Sequence, residues 1–338
     1  MTVDTAPPGV PIQLPMAVDE DTRALQREVR ELARQRNAVI LAHNYQVPEV
    51  QDVADYVGDS LGLSQQAARA GADTIAFCGV HFMAETASIL CPDKTVLLPD
   101  LGAGCSLADS ITADELRTWK AQHPHAIVVM YVNTTAEVKA LTDYCCTSSN
   151  AVQVVEHIWA THGDDTEILF GPDMFLGAYV EKVTGRKLNV WMGECHVHAG
   201  IRPSDIAEVR AENPGADFLI HPECGCSTSV MEYVASGDID VENTHMLSTG
   251  GMLNYAREAD ADTFVVATET GMLHPLAAEN PGKTFVAADD GAVCRYMKQI
   301  TLEKLRDCLR DMQPQVEVEP EVAAKARLAI ERMLAIKP

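Results

Sequence analysis

Short apolar runs rich in β-branched residues alternate with longer amphipathic segments along most of this chain, and each run breaks off into polar residues. Three such runs open comparable stretches: AVILAHNYQ at 38–46, AIVVMYVNTT at 126–135 and ADFLIHPECG at 216–225. A second run follows in each: DTIAFCGVHFMAETA at 73–87, TEILFGPDMFLGAYV at 166–180 and DTFVVATETGMLHPL at 262–276. A third ends on a cysteine: KTVLLPDLGAGC at 94–105, KLNVWMGEC at 187–195 and KTFVAADDGAVC at 283–294. Helix-length amphipathic segments separate them, such as DSLGLSQQAARAGA at 59–72 and SNAVQVVEHIWATH at 149–162. Strand-length runs alternating with helices predict an α/β fold of parallel βαβ units with right-handed crossovers, since a parallel neighbour needs a crossover to reach it.

The runs keep register with one another. Aligned on Ala38, Ala126 and Ala216, they place His43, Tyr131 and His221 in one column, with Tyr45, Asn133 and Glu223 two residues on. The cysteines open a second repeated phrase, CSLADSI from Cys105, CHVHAGI from Cys195 and CRYMKQI from Cys294. Leu107, Val197 and Tyr296 stand at +2, Ile111, Ile201 and Ile300 at +6, and Leu116, Ile206 and Leu305 at +11. The +2/+6 spacing predicts a helix starting just after each cysteine, one face turned inward. The reading is three pseudo-threefold-related α/β/α domains, each with a three-stranded parallel sheet, around a central cluster cavity. Their bounds fall at 25–112, 113–201 and 202–300, after an N-terminal extension at 1–24 and before a C-terminal helical segment at 301–338.

Three equivalent thiolates meeting near a shared axis form a metal-cluster geometry. Most free cysteines are small buried hydrophobes, which is the reading for Cys78, Cys91 and Cys308. Zinc favours local C-x2-C pairs, absent here, and Cys224-x-Cys226 is too tight for most zinc modules. An iron–sulfur cluster tolerates distant ligands. Three thiolates on a four-iron cubane leave one iron open as a Lewis acid, suited to dehydration rather than electron transfer. Cys224 and Cys226 lie outside the repeat, which argues against a fourth ligand.

The polar columns sit where strands end, and open parallel sheets gather function at those carboxyl ends. His43 with Tyr45, Tyr131 with Asn133 and His221 with Glu223 project alike, i and i+2, supplying acid, base and hydrogen-bond donors to one cavity. DSLGLS, CCTSSNA and LSTGGM each precede a predicted helix. Ordinary capping explains them, and so does anion binding at helix N-termini, with few lysines near the motifs to do it otherwise.

Composition narrows the partners. The 338 residues carry 49 acidic and 26 basic side chains, a net charge of −23. Nucleic acid and anionic membrane surfaces need clustered Lys and Arg, so neither is expected. No apolar run reaches membrane-span length. The start of the chain is Pro-rich and lacks the basic and apolar regions of a secretory signal, so the expected compartment is the cytoplasm, where ten cysteines imply metal or reactive thiols rather than a disulfide framework. Thr112-x-x-Glu115 predicts a capping box, and 321–336 a final amphipathic helix.

AHNYQ, VGDS, GCSLAD, YVN, TSSN, GECHVH, HPEC, STGG and C-x2-MK occur in order over 38–300. In this the chain resembles the quinolinate synthases of NAD biosynthesis. The resemblance implies a transferase with one 4Fe-4S cluster per chain on three cysteines, here Cys105, Cys195 and Cys294. Its implied reaction condenses iminoaspartate with dihydroxyacetone phosphate to quinolinate, phosphate and water, with a functional link to an iminoaspartate-producing enzyme. It carries substrate binding onto His43, Ser60, Tyr131, Asn133, Ser148, His221, Glu223 and Thr249. Tyr45 and Glu223, with His221, take the catalytic roles. The stretch from Glu223 to Thr249 is longer than in many members, and no further cysteine cluster follows at the C-terminus. Rival readings are a redox or iron sensor, a zinc-dependent lyase and a structural cysteine core. Neither the sensor nor the core accounts for the polar columns.

Overall fold

The computed structural model describes residues 19–227, 231 and 243–337, so the expected extension lies outside the described residues up to position 18. Three parallel sheets make up the framework. The first contains β1 (Ala38–His43), β2 (Tyr56–Gly58), β3 (Thr74–Cys78) and β4 (Thr95–Leu97), ordered β2-β1-β3-β4. The second contains β5 (Ile127–Tyr131), β6 (Tyr144–Cys146), β7 (Ile168–Gly171) and β8 (Asn189–Val190), ordered β6-β5-β7-β8. The third contains β9 (Asp217–Ile220), β10 (Thr244–Met246), β11 (Thr263–Ala267) and β12 (Thr284–Ala287), ordered β10-β9-β11-β12. The α/β fold with three related parallel sheets is as the repeat predicts.

Each sheet has four strands rather than the expected three. The extra one is β2, β6 or β10, an edge strand of three residue pairs whose run is too short to show a period. Side chains pin two of these edges from outside the ladder. Asp55 Oδ2 accepts the Ile40 N–H at 2.7 Å, and Asp143 Oδ2 accepts the Val128 N–H at 2.9 Å. The central strands β3, β7 and β9 are buried along their whole length, the continuous apolar pattern of a sheet covered on both faces.

The segment after each cysteine also differs from expectation. Instead of a helix starting at once, a 3-10 turn forms at Ala108–Ser110, His198–Gly200 and Met297–Gln299. An α-helix follows at Ala113–Gln122, Pro203–Glu212 and Leu302–Asp311. Extended N-caps at Thr112, Arg202 and Thr301 restart the chain, and Pro203 at a first helical turn has no N–H to lose. Thr112 and Glu115 form the predicted capping box. The apolar residues at +6 and +11 of all three phrases are buried, so the repeat does report one inward face.

Each of these helices covers the next sheet. Ala113–Gln122 packs toward the second unit and Pro203–Glu212 against β11. Leu302–Asp311 returns to β3 and to the helix Glu20–Gln35 of the first unit. The three units thereby close in a ring. Pro320–Ala335, the predicted terminal helix, packs on β6 and on the helix His81–Leu90, spanning the first and second units.

Candidate functional site

In a 2-1-3-4 order the chain leaves the first strand toward one edge and then crosses to the other side, so the crevice lies at the carboxyl end of that first strand. All three units aim this crevice at one cavity. His43, Tyr45, Ser60, Cys105, Tyr131, Asn133, Ser148, Cys195, His221, Glu223, Thr249 and Cys294 all line it. These are all the positions singled out from sequence.

The three cysteines hold equivalent backbone geometry. Their carbonyls accept the N–H four residues on, from Asp109 at 3.0 Å, Ala199 at 2.8 Å and Lys298 at 3.1 Å. Each thiol is free and half-buried. The turn aims N–H groups back at sulfur: those of Ala108 and Leu107 at Cys105, and those of Met297 and Tyr296 at Cys294. Burial pushes the Cys105 thiol up, and the neighbouring Cys195 and Cys294 sulfurs push it further. Burial and the Cys195 sulfur likewise raise Cys294. Two such thiols that resist ionising, with donors toward their sulfurs and the Cys195 sulfur beside them, suit a cationic group and fit a three-thiolate cluster. Cys224 and Cys226 are buried and disulfide-bonded to each other, so neither offers a free thiol as a further ligand.

The polar columns repeat their geometry as well. The Tyr45 N–H donates to His43 Nδ1 at 3.2 Å, and the Glu223 N–H donates to His221 Nδ1 at 3.4 Å. Burial holds His43 down at about 3 and His221 at about 4, so both rings are neutral at pH 7. With Nδ1 accepting, the proton of each ring sits on Nε2; that of His221 is 3.3 Å from Ser148 Oγ. Burial alone would raise Glu223. The His221 and His198 rings and the Tyr131 hydroxyl outweigh it and hold the carboxyl below its usual range. Burial raises Tyr45 and Tyr131, keeping both phenols protonated. Asn133 Oδ1 is buried without a hydrogen-bond partner among the described residues.

The Ser and Thr stretches open helices at Ser60–Arg69, Ala151–His162 and Thr249–Glu258. Anion binding was one expectation there, but a protein carboxylate already stands among them. Asp59 Oδ1 accepts the Gly62 N–H at 2.7 Å as the cap of its own helix, and Oδ2 accepts Ser149 Oγ at 2.9 Å. A Cβ on Gly250 would lie 3.0 Å from that same Oδ2. Asn44 Nδ2 donates to Thr249 Oγ1 at 3.0 Å, tying this end to the first unit.

Sequence reasoning missed His198. Its ring stacks on His221 with centroids 4.8 Å apart. Nε2 lies 3.3 Å from Tyr45 Oη and 2.8 Å from Thr268 Oγ1, and Nδ1 lies 3.4 Å from Glu223 Oε2. Ligand atoms of Cys195, His198 and Glu223 fall within 4.8 Å of one another, a set that could also take a single metal ion. A signal was present: the +3 position holds Ala108 and Met297 in the other phrases, so a histidine there breaks an apolar column. Asp173 was missed too. It is fully buried, burial and then Glu223 raise its carboxyl, and Oδ2 lacks a partner among the described residues.

A family model described as quinolinate synthetase A protein matches residues 27–335. A quinolinate synthase of Mycobacterium sp. (strain KMS) is 58% identical over 310 residues, covering 91% of each chain. That of Mycobacterium tuberculosis (strain ATCC 25177 / H37Ra) is 57% identical over 320 residues, 94% of this chain and 90% of its own. That of Mycolicibacterium paratuberculosis (strain ATCC BAA-968 / K-10) is 57% identical over 310 residues, 91% and 88%. No helix among the described residues is long and apolar enough to cross a membrane.

Proposed function

This chain belongs to the quinolinate synthetase A family, and on that premise we propose that it condenses iminoaspartate with dihydroxyacetone phosphate to quinolinate, phosphate and water. The observation that carries the reading is the threefold placement of Cys105, Cys195 and Cys294 on one cavity wall, with backbone N–H groups turned toward sulfur at two of them. These three residues would hold a 4Fe-4S cluster. When bound, it supplies a Lewis-acidic iron for loss of a hydroxyl group as water. The alternative single-ion set of Cys195, His198 and Glu223 leaves Cys105 and Cys294, and the donors aimed at them, without a use.

The remaining residues divide by protonation state. Glu223 is the ionised group and serves as base. Tyr45, protonated and hydrogen-bonded to Thr268 Oγ1 at 2.6 Å, serves as acid. His221, neutral with its proton on Nε2, relays or donates a hydrogen bond beside Glu223. His43 donates from the same tautomer, holding a substrate carboxylate or carbonyl. Asn133 Oδ1 offers an acceptor to a substrate N–H or O–H, relieving a buried polar atom whose isolation costs about 1–3 kcal/mol. Tyr131, Ser60, Ser148 and Thr249 hold the rest of the substrate through their hydroxyls. Asp59 at the helix starts limits how much negative charge that end accepts.

An imine substrate hydrolyses in water, so an iminoaspartate-producing enzyme in the same cytoplasmic compartment is the functional neighbour. The test is anaerobic purification with iron and sulfide analysis, then assay of quinolinate from the two substrates. About four irons and four sulfides per chain with quinolinate formed supports the reading. Stoichiometric zinc, or full turnover without iron, overturns it.

A further inference from the structure

The C-x2-MK motif contains one residue to which the proposed reaction assigns nothing. Lys298 stands four residues after Cys294, where the other phrases have Asp109 and Ala199. Its Nζ donates to the main-chain carbonyl of Tyr45, 253 positions away in the chain. The same Nζ lies 2.9 Å from Oε1 and 3.2 Å from Oε2 of Glu269, whose side chain is fully buried.

Glu269 is placed for this by the repeat. Val80, Asp173 and Glu269 occupy one equivalent position. The residue after each donates its N–H to the residue two before the cysteine: His81 to Ala103 at 2.7 Å, Met174 to Gly193 at 2.9 Å and Thr270 to Ala292 at 3.0 Å. Asp173 there reaches no further than its own helix, through the Leu176 N–H at 2.7 Å. Glu269, one methylene longer, caps Gly271 at 2.7 Å with Oε2 and takes the Cys294 N–H at 2.9 Å with Oε1.

Thr268, directly before Glu269, binds the other end of the same tyrosine through Oη at 2.6 Å. Two consecutive residues of the third unit thus control both ends of Tyr45 in the first, one directly and one through Lys298. Gln51 reinforces the joint, donating toward Asn44 O at 3.0 Å, Gln46 O at 2.8 Å and Gly271 O at 3.1 Å. A phenol fixed at its hydroxyl and at its backbone has no torsion left to wander.

We propose that Lys298 is a positioning residue for Tyr45: through Glu269 it sets the phenol in the same rigid frame that carries Cys294. This rests on the reading of Tyr45 as the acid. A misplacement of the order of 1 Å in such a group costs about 100-fold in rate, so the effect belongs in kcat rather than in KM.

The test labels the chain with 3-fluorotyrosine, assigns the Tyr45 resonance with Tyr45→Phe, and compares Lys298→Met and Lys298→Arg with the parent, cluster-loaded and cluster-free. Lys298→Met is expected to shift or broaden the Tyr45 fluorine resonance in both forms while the Tyr131 resonance stays. It should lower kcat per bound cluster by about 10–100-fold with KM within about twofold. Lys298→Arg should restore most of both. If Lys298→Met fails to hold iron, the resonance in cluster-free Lys298→Gln decides. An unmoved Tyr45 resonance, or an unchanged kcat per cluster, overturns the proposal. Full activity in Tyr45→Phe would instead remove the reading of Tyr45 as the acid, and the proposal with it.

Discussion

Tyr131 and Glu223 belong to different units, 92 positions apart, and the phenol of one donates to the carboxylate of the other inside the cavity. Neither partner is exposed. The contact helps to keep Glu223 ionised against its own burial, so it can be tested through pH.

Removing that donor raises the Glu223 carboxyl. Tyr131→Phe should therefore move the acid limb of the kcat profile to higher pH, because protonation that disables the base now occurs sooner on acidification. A hydrogen bond to a charged group contributes about 1.5–3 kcal/mol, which corresponds to a shift of roughly 1–2 pH units. Profiles of parent and variant at saturating substrate check this, and superimposable acid limbs would count against the role of the contact.

Glu223→Gln keeps the shape of the side chain and removes its basicity. Turnover should fall by about 100–10,000-fold, the usual contribution of a positioned acid–base group, with iron content unchanged. Single-turnover assays normalised to iron separate this from simple cluster loss.

Cys105→Ser, Cys195→Ser and Cys294→Ser should each abolish the visible absorbance and the activity. Cys308→Ala, in the apolar core, should keep both. Iron retained in all three serine variants would mean that the cluster ligands lie elsewhere.

Burial holds His43 at about 3 and His221 at about 4, against about 6.5 in an unfolded chain. Between those values the unfolded chain binds protons that the folded chain refuses. Stability is therefore complete above about pH 6.5 and declines as pH falls toward the folded values. Urea midpoints on cluster-free protein should follow this course, and His43→Gln should show a shallower acid slope than the parent. Equal slopes would contradict the assignment.

Gly193 lies two residues before Cys195, and a Cβ there would meet Ser110 Oγ at 2.2 Å and the Pro172 carbonyl at 2.7 Å. The carbonyl belongs to backbone and cannot swing away. Gly193→Ala should destabilise the chain by about 1–3 kcal/mol and weaken iron retention. Gly71→Ala, with nothing near the added carbon, serves as the comparison in the same denaturation series.

Much of this was legible because each unit encodes it locally. The strands β1, β5 and β9 lie within the runs aligned on Ala38, Ala126 and Ala216, and the columns read there meet in one cavity. The edge strands β2, β6 and β10 escaped notice because three residues carry no period and a neighbouring strand supplies their hydrogen bonds. The helix expected at each cysteine became a 3-10 turn because the N-cap at 112, 202 or 301 starts a fresh helix.

The sequence by itself determined the α/β class, the threefold plan, the three cysteines and the polar residues at the strand ends. Periodicity and internal repetition are properties of order along the chain, so one chain suffices to read them. Tertiary structure alone decided that Leu302–Asp311 closes the ring onto the first unit, that Asp59 stands among three helix starts, and that His198 joins Tyr45 to Glu223. It also decided that Lys298 holds Tyr45. Each of these is a contact between units. Pairings across such distances leave no local pattern; they arise when packing of the apolar faces brings the three units around one cavity.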